Sequence, residues 1–370
     1  MKKSILFLTL VMLMALGASV NVTAQEIATW SGFKQAATSF TFVENAPCHV
    51  TVVAPLFDSY GYNASFYLLT DMVSNWNDWK TVAGNGHEIG NNGAATSGKM
   101  SDSEISSAKN SIKTHIPGQN CNTLIYPNCI VPNKTLVAQN YIAGFNCSTQ
   151  DLAQKTPGDW FEVPIFMTGS QGLSSYSEIV SKIQNAISHK GWVAFMTFGI
   201  VGKDNGSVSY SPTNLDAISG TLTWLKNNGS VWVSTACNVA MYAKERDAST
   251  FAEISSTSTS ATYSLTHSIA DAVCAYDYPL SLRVPIPEGW TKLELTQAET
   301  AIPFTSDDYF VYFDAIPNGG DIILHNSLLN AIESPSLQGR SGEASKFIQD
   351  GQLFILRGDK LFNAIGTQVK

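Results

Sequence analysis

Ser174-Ser-Tyr-Ser-Glu-Ile-Val-Ser-Lys-Ile-Gln-Asn-Ala-Ile-Ser-His-Lys-Gly-Trp-Val-Ala-Phe-Met-Thr197 carries the fold in one repeat unit. Ile179, Ile183, Ala186 and Ile187 recur at helical spacing, which predicts a helix over Ser174 to Ser188. Trp192 to Thr197 follows as a short apolar run, the signature of a strand buried on both faces. The same alternation extends outward in both directions. Candidate strands are Ser39 to Val43, Ala64 to Leu69, His87 to Gly90, Thr123 to Tyr126, Ile142 to Asn146 and Val231 to Thr235. Further helices are expected over Ser101 to Thr114 and Asn214 to Lys226. Each helix begins after Ser, Thr, Asp or Asn, residues that satisfy the free N–H groups of a first turn. Repeated strand–helix units with apolar strands predict a parallel sheet, most economically a closed or nearly closed barrel.

After Asp247 the texture changes. Ser255 to Ser260 reads as a Ser/Thr linker. Short β-type segments follow at Leu280 to Val284, Lys292 to Thr296, Tyr309 to Asp314 and Asp321 to Leu324, punctuated by Pro and Gly. They predict a small antiparallel sandwich. Gln352 to Arg357 and Lys360 to Asn363 flank a Gly358-Asp359 turn, a hairpin signal. The expected organisation is a signal peptide over 1–24, a barrel over 25–250, a linker over 251–260, a β-sandwich over 261–326, a connector over 327–345 and a hairpin tail over 346–370.

Lys2 and Lys3, the apolar stretch Ile5 to Ala18 and the small residues Val22-Thr-Ala24 form a secretory signal pattern, with the mature chain expected from Gln25. No later segment nears the roughly 18 apolar residues of a membrane span. The chain is expected in the periplasm, at the cell surface or in the medium. Charged residues make up 14% and the net charge is −8. No basic face is visible, which argues against a nucleic-acid partner. Six cysteines lie downstream of the signal pattern. They have no C-x-x-C pairing, and both disulfides and buried thiols stay open. Cys48, Cys129, Cys147 and Cys237 each follow a strand within a few residues. They are expected near one end of the barrel, as disulfides or, in a rival reading, as a thiolate metal site.

Ser39-Phe-Thr-Phe42, Pro55-Leu-Phe-Asp-Ser-Tyr-Gly-Tyr-Asn-Ala-Ser-Phe-Tyr67, Gly86-His-Glu-Ile-Gly-Asn91, Gly191-Trp-Val-Ala-Phe-Met-Thr-Phe-Gly199 and Tyr242-Ala-Lys-Glu-Arg-Asp247 occur in an order that resembles the polysaccharide deacetylases with a NodB-homology barrel. The resemblance spans roughly Ser39 to Asp247 and implies an irregular (β/α) barrel followed by a β-sandwich and a hairpin. It also implies a carbohydrate esterase chemistry, carbon–nitrogen bond hydrolysis outside peptides. Such enzymes hold a divalent metal on one aspartate and two histidines, with an aspartate base and a histidine acid.

At the matching positions this chain departs from the pattern. Val43 stands at the base position and Glu44 at the metal aspartate. Asn92 and Thr96 replace the two histidines. Tyr126 replaces the arginine that orients the base, and Phe198 the acid. Neutral amide and hydroxyl oxygens are poor ligands for zinc-like ions, and a benzene ring transfers no proton. Glu44 and His87 are the two residues left that could touch an ion, so no cofactor is expected unless the altered site still binds zinc.

The leading reading is a glycan-binding pseudoenzyme that uses Asn92, Tyr126 and Phe198 on a polysaccharide or N-acetylated glycan. The alternatives are an active esterase with an altered metal site and a scaffold without ligand. Asp350 to Gly366 resembles the C-terminal segments of exported Bacteroidota proteins, including sorting signals read by type IX secretion machinery. An ordinary closing hairpin is the competing reading.

Overall fold

A computed structural model describes residues 25–95, 98–270, 273–327, 344–349, 352–357, 360–363 and 368–369. The signal pattern over 1–24, Thr96, the middle of the 327–345 connector and the Gly358-Asp359 turn lie outside the described residues.

Strands run side by side in the order Val163–Pro164, Ala143–Asn146, Thr123–Ile125, Glu88–Asn91, Ser65–Leu68, Ala36–Val43, Trp192–Thr197, Phe166–Met167, every adjacent pair parallel. The first and last segments belong to one extended stretch, with only Ile165 between them. Val163 pairs with Phe145 at one edge and Phe166 with Phe195 at the other. That stretch joins the two edges, so the sheet is a near-closed parallel barrel. Val231–Val233 adds a parallel pairing along Ala36–Thr38.

Local sequence explains the elements around it. Helices Asp102–His115 and Tyr176–His189 each open on a capping box, Ser101 with Glu104 and Ser175 with Glu178, in which side chain and backbone satisfy each other's first-turn donors. Leu215–Asn228 ends at Gly229 with φ 67°, a left-handed cap that glycine adopts without a Cβ penalty. Phe40 and Phe42 face the outer helices, whereas Ala37 and Val43 of the same strand belong to the cluster that includes the barrel interior. This two-sided burial is why the strands read as apolar runs rather than as alternations.

Helix Ala236–Ala248 closes the amino end of the barrel. The N–H of Ala236 donates to Ser65 Oγ (2.9 Å) and that of Cys237 to Glu88 Oε2 (2.9 Å). Ser65 and Glu88 are the first residues of their strands. Val239, Ala240, Tyr242 and Ala243 share one apolar cluster with Trp192 inside the barrel and with Leu282, Val311 and Leu324 of the sandwich. Barrel and sandwich therefore share a continuous core within the compact unit that ends at Asn326.

The sandwich differs from its expected outline in two ways. Ser249–Ser256 and Ser260–His267 pair as a hairpin where a linker over 251–260 was expected. Ser/Thr runs suit exposed β-structure, and only the turn at 257–259 separates the strands. Glu26–Ile27 pairs with Leu282 and Arg283, so residues assigned to the barrel at its start belong to a sandwich sheet. The two sheets are the four-stranded one built on Leu280–Pro285 and Phe310–Ala315 and the five-stranded one built on Ser260–His267 and Ile322–Asn326.

The C-terminal unit, from Ser327 onward, holds Ala344–Gln349, Gln352–Arg357, Lys360–Asn363 and Gln368–Val369 in one antiparallel order. The expected hairpin is the middle of this four-stranded meander. Among the described residues, no helix is long and apolar enough to cross a membrane.

Candidate functional site

The carboxyl ends of parallel strands converge at one end of a barrel, whatever side chains they carry. Here they meet around a cavity of about 370 Å³. Val43, Glu44, Asn92, Tyr126 and Phe198, five positions singled out from sequence, all line it. Tyr210, Met167, Met196 and Asn128 also line it.

Glu44 follows the strand Ala36–Val43 in a left-handed conformation, φ 71°, and Asn45 comes next at φ 55°. Two consecutive non-glycine residues there are strained and persist only when held. Asn45 supplies the hold: its Oδ1 accepts from the N–H of Leu69 (2.9 Å) and its Nδ2 donates to Leu69 O (2.8 Å). The turn leaves the Glu44 carboxyl half-buried on the cavity wall, where burial raises its pKa above the ordinary glutamate value.

Asn92 is buried and its Nδ2 donates to Ile125 O at 3.1 Å. The Tyr126 hydroxyl donates to Phe161 O at 2.7 Å, and burial raises its pKa. Its polar end is therefore committed to the protein, and with the side chain 1% exposed and packed into the outer core it bounds the cavity without projecting into it. The ring reaches this position across Gly144, where an added Cβ would sit 2.4 Å from the Tyr126 oxygen. Phe198 packs edge-on against Tyr210, centroids 5.0 Å apart. Tyr210 is 50% exposed and forms the outer lip. The loop that carries it is tied by Asn205, whose amide accepts from Ile200 N (2.8 Å) and donates to Ile200 O (3.0 Å).

Beneath Phe198 lies His49, fully buried among Phe42 and Phe66. Its Nε2 bonds the carbonyl of Phe198 and its Nδ1 has no hydrogen-bond partner. Burial drives its pKa down to about 4, so the ring is neutral and positions the strand end.

His87 is elsewhere. It precedes its strand, at the amino end of the barrel, and lines a different cavity from the mouth. Its Nδ1 accepts from Ala64 N (3.0 Å) and its Nε2 donates to Asp58 Oδ1 (3.0 Å). Both nitrogens are thus used, burial lowers the pKa, and the ring is a structural tie far from Glu44.

The cysteines also sort themselves. Cys129 and Cys147 form a disulfide on the mouth wall, linking the segment after one barrel strand to the end of the next. Cys48 is a buried thiol that donates to Asn205 Oδ1 at 3.1 Å. Cys237 lies on the helix at the opposite, amino end and lines the cavity there, which corrects the expectation that it joins the mouth. A helix following the last strand carries it back beneath the barrel.

The donor set at the mouth does not fit a zinc-type ion. The described lining offers one carboxylate, the amides of Asn92 and Asn128 and a disulfide, with no imidazole. Among the described residues no three His, Cys, Asp or Glu side chains are placed to hold a metal. Tyr210 and the two methionines were missed from sequence. The available signal was a lone tyrosine in the polar loop after Phe198, which carries no periodicity.

No family model matches the chain. Over 365 residues it is 24% identical to a curated protein named gellan lyase from a Bacillus species, a match covering 86% of this chain and 14% of that protein. The chain spans about a seventh of that relative's length. Its structural neighbours are polysaccharide deacetylases. One is a putative polysaccharide deacetylase from Mycobacterium smegmatis (13% identity, TM-score 0.45, 61% of this chain and 96% of that one). Another is a family 4 acetyl xylan esterase from Clostridium thermocellum solved with a cobalt ion (17% identity, TM-score 0.38, 55% and 89%). At such scores the barrel stands on its own strand pairing.

Proposed function

We propose that the barrel mouth binds a glycan and that the chain lacks the metal-dependent deacetylation implied by its resemblance. One observation carries this reading: where a metal cage and an acid–base pair would stand, the cavity wall is Val43, Asn92, Tyr126 and Phe198, with Glu44 as its sole carboxylate. Aromatic faces stack on the C–H faces of sugar rings, and a few fixed polar groups orient them. A cavity of about 370 Å³ suits one or two sugar units. The relative named gellan lyase supports polysaccharide as the ligand class. The Cys129–Cys147 disulfide favours export, since such bonds persist in oxidising compartments.

Calorimetric titration with N-acetylated oligosaccharides tests the proposal, with acetate release and metal content measured on the same sample. Binding without acetate release is expected, and Phe198→Ala should weaken it about tenfold, the loss of one stacked ring (about 1.4 kcal/mol). Stoichiometric zinc with acetate release would replace the binding reading by an esterase with a rebuilt site. Silence across a broad panel would leave the barrel as scaffold.

A further inference from the structure

The sandwich carries a groove that the barrel mouth does not explain. It measures about 510 Å³, and Phe33, Phe304 and Tyr312 form its walls, with Ser281, Thr305 and Asp314 as polar neighbours. All three rings are only half-buried. Tyr312 lies on the outer face of its strand, alternating with the buried Val311 and Phe313.

The aromatic wall is set in place. Phe33 has φ 56°, an outlier for a bulky side chain that points towards function when the surroundings enforce it. Here Gly32 N–H donates to the buried Ser281 Oγ at 2.8 Å. The Phe33 ring meets Tyr312 edge-on at 5.2 Å. Tyr312 is fixed in turn by its hydroxyl, which donates to Asp307 Oδ2 at 2.8 Å. Ser281 Oγ donates to Asp314 Oδ1 at 2.5 Å, which fixes that carboxylate beside the rings.

Charge decides between ligands. Two cations lie nearby: Arg283 is paired with Glu26 Oε2 at 2.5 Å and lies over Phe310 and Phe33, and Lys34 donates its Nζ to Gly229 O at 2.5 Å. Asp314 on the wall has no cation of its own in the lining. An anionic polymer meets a carboxylate there, whereas a neutral sugar finds rings for its C–H face and an acceptor for its hydroxyls.

We infer that this groove is a second glycan site, taking a neutral pyranose segment of the polysaccharide that the mouth also holds. Phe33 precedes the amino end of the eight-residue strand whose carboxyl end opens into the mouth. That strand spans roughly 26 Å. A trisaccharide is too short to reach both sites, and a polymer long enough to do so gains from linked binding. The inference uses the mouth reading only in assigning both sites to one polymer.

The test compares intact protein with Phe33→Ala/Tyr312→Ala, with Thr305→Trp, which fills the groove from an exposed position, and with Phe198→Ala. Probes are chitotriose, glycol chitin, xylan and hydroxyethyl cellulose, with polygalacturonate as the anionic control. Intact protein should bind a neutral polymer at least about tenfold more tightly than a trimer. Both groove variants should lose that gain while holding the mouth's trimer affinity within about twofold, and polygalacturonate should bind weakly. Unchanged polymer affinity in Thr305→Trp, with its melting temperature intact, overturns the groove alone. Loss of trimer binding in no variant but the groove ones overturns the mouth reading instead. Absence of all binding overturns both.

Discussion

At the scale of single residues, the mouth depends on where Glu44 can put its charge. A valine before it and two left-handed residues in sequence turn the chain end so that the carboxyl lies on the cavity wall. Burial raises its pKa above the ordinary value of 4.5. If this carboxylate accepts from a sugar hydroxyl, Glu44→Gln should weaken binding about fivefold, near 1 kcal/mol. The intact protein should bind more weakly as pH falls through the raised pKa and the acceptor gains a proton; the Gln variant should show no such slope in titrations between pH 4 and 8. A second residue-scale expectation concerns Gly144. Alanine there would bring its Cβ to 2.4 Å from the Tyr126 oxygen, so the ring must shift. Gly144→Ala should cost about 1–3 kcal/mol in urea denaturation and weaken mouth binding together with stability.

At the scale of elements, covalent and hydrogen-bonded ties hold the mouth together. The Cys129–Cys147 bridge closes a segment with a sequence separation of 18 and holds two strand ends together. Chain-entropy arguments give such a loop about 3 kcal/mol. Cys147→Ser should lower stability by about that amount and loosen the wall on which Tyr126 sits, which thermal melting and titration under non-reducing conditions would both register. The strand–helix alternation was legible from sequence because buried parallel strands and capped helices write strong, local signals: Ser101, Ser175 and the apolar run from Trp192 all match the structure. Pairings made by non-local partners were not legible. Glu26–Ile27 joins a strand more than 250 residues away, and helix Ala236–Ala248 gives no clear amphipathic stripe, because Val239, Ala240, Tyr242 and Ala243 pack between barrel and sandwich and Glu245 is buried with them. For the site, the resemblance brought five wall residues to one cavity. His87, a weak ligand candidate set against the reading of a satisfied half-buried histidine, has both nitrogens bonded at the other end of its strand, because sequence proximity to the expected ligands says nothing about which end a residue occupies.

At the scale of the whole unit, barrel and sandwich meet over helix Ala236–Ala248, and Glu245 sits at that junction with no exposure to solvent. Its Oε1 accepts from Tyr278 N at 3.0 Å, and its Oε2 has no hydrogen-bond partner. Burial lifts its pKa to about 7; the Tyr278 N–H opposes that rise and the charge of Asp277 adds to it. A carboxyl raised in the folded state contributes its full relative stability below the ordinary value of 4.5, where both states hold the proton. Between 4.5 and about 7 the unfolded chain ionises first and that stability is lost. His49, lowered to about 4, works in the other direction: its neutral ring favours the fold above 6.5, and that contribution disappears as pH falls towards 4. Up to pH 6.5 the two contributions offset each other, so stability should decline as pH rises from 6.5 to about 7 and level off above it, and Glu245→Gln should remove that decline and gain on the order of 2 kcal/mol at pH 8. His49→Gln should instead flatten the acid limb between pH 6.5 and 4. Urea denaturation of the three proteins across pH 4 to 8 separates the two limbs, and an alkaline decline of equal slope in Glu245→Gln would remove this junction as its cause.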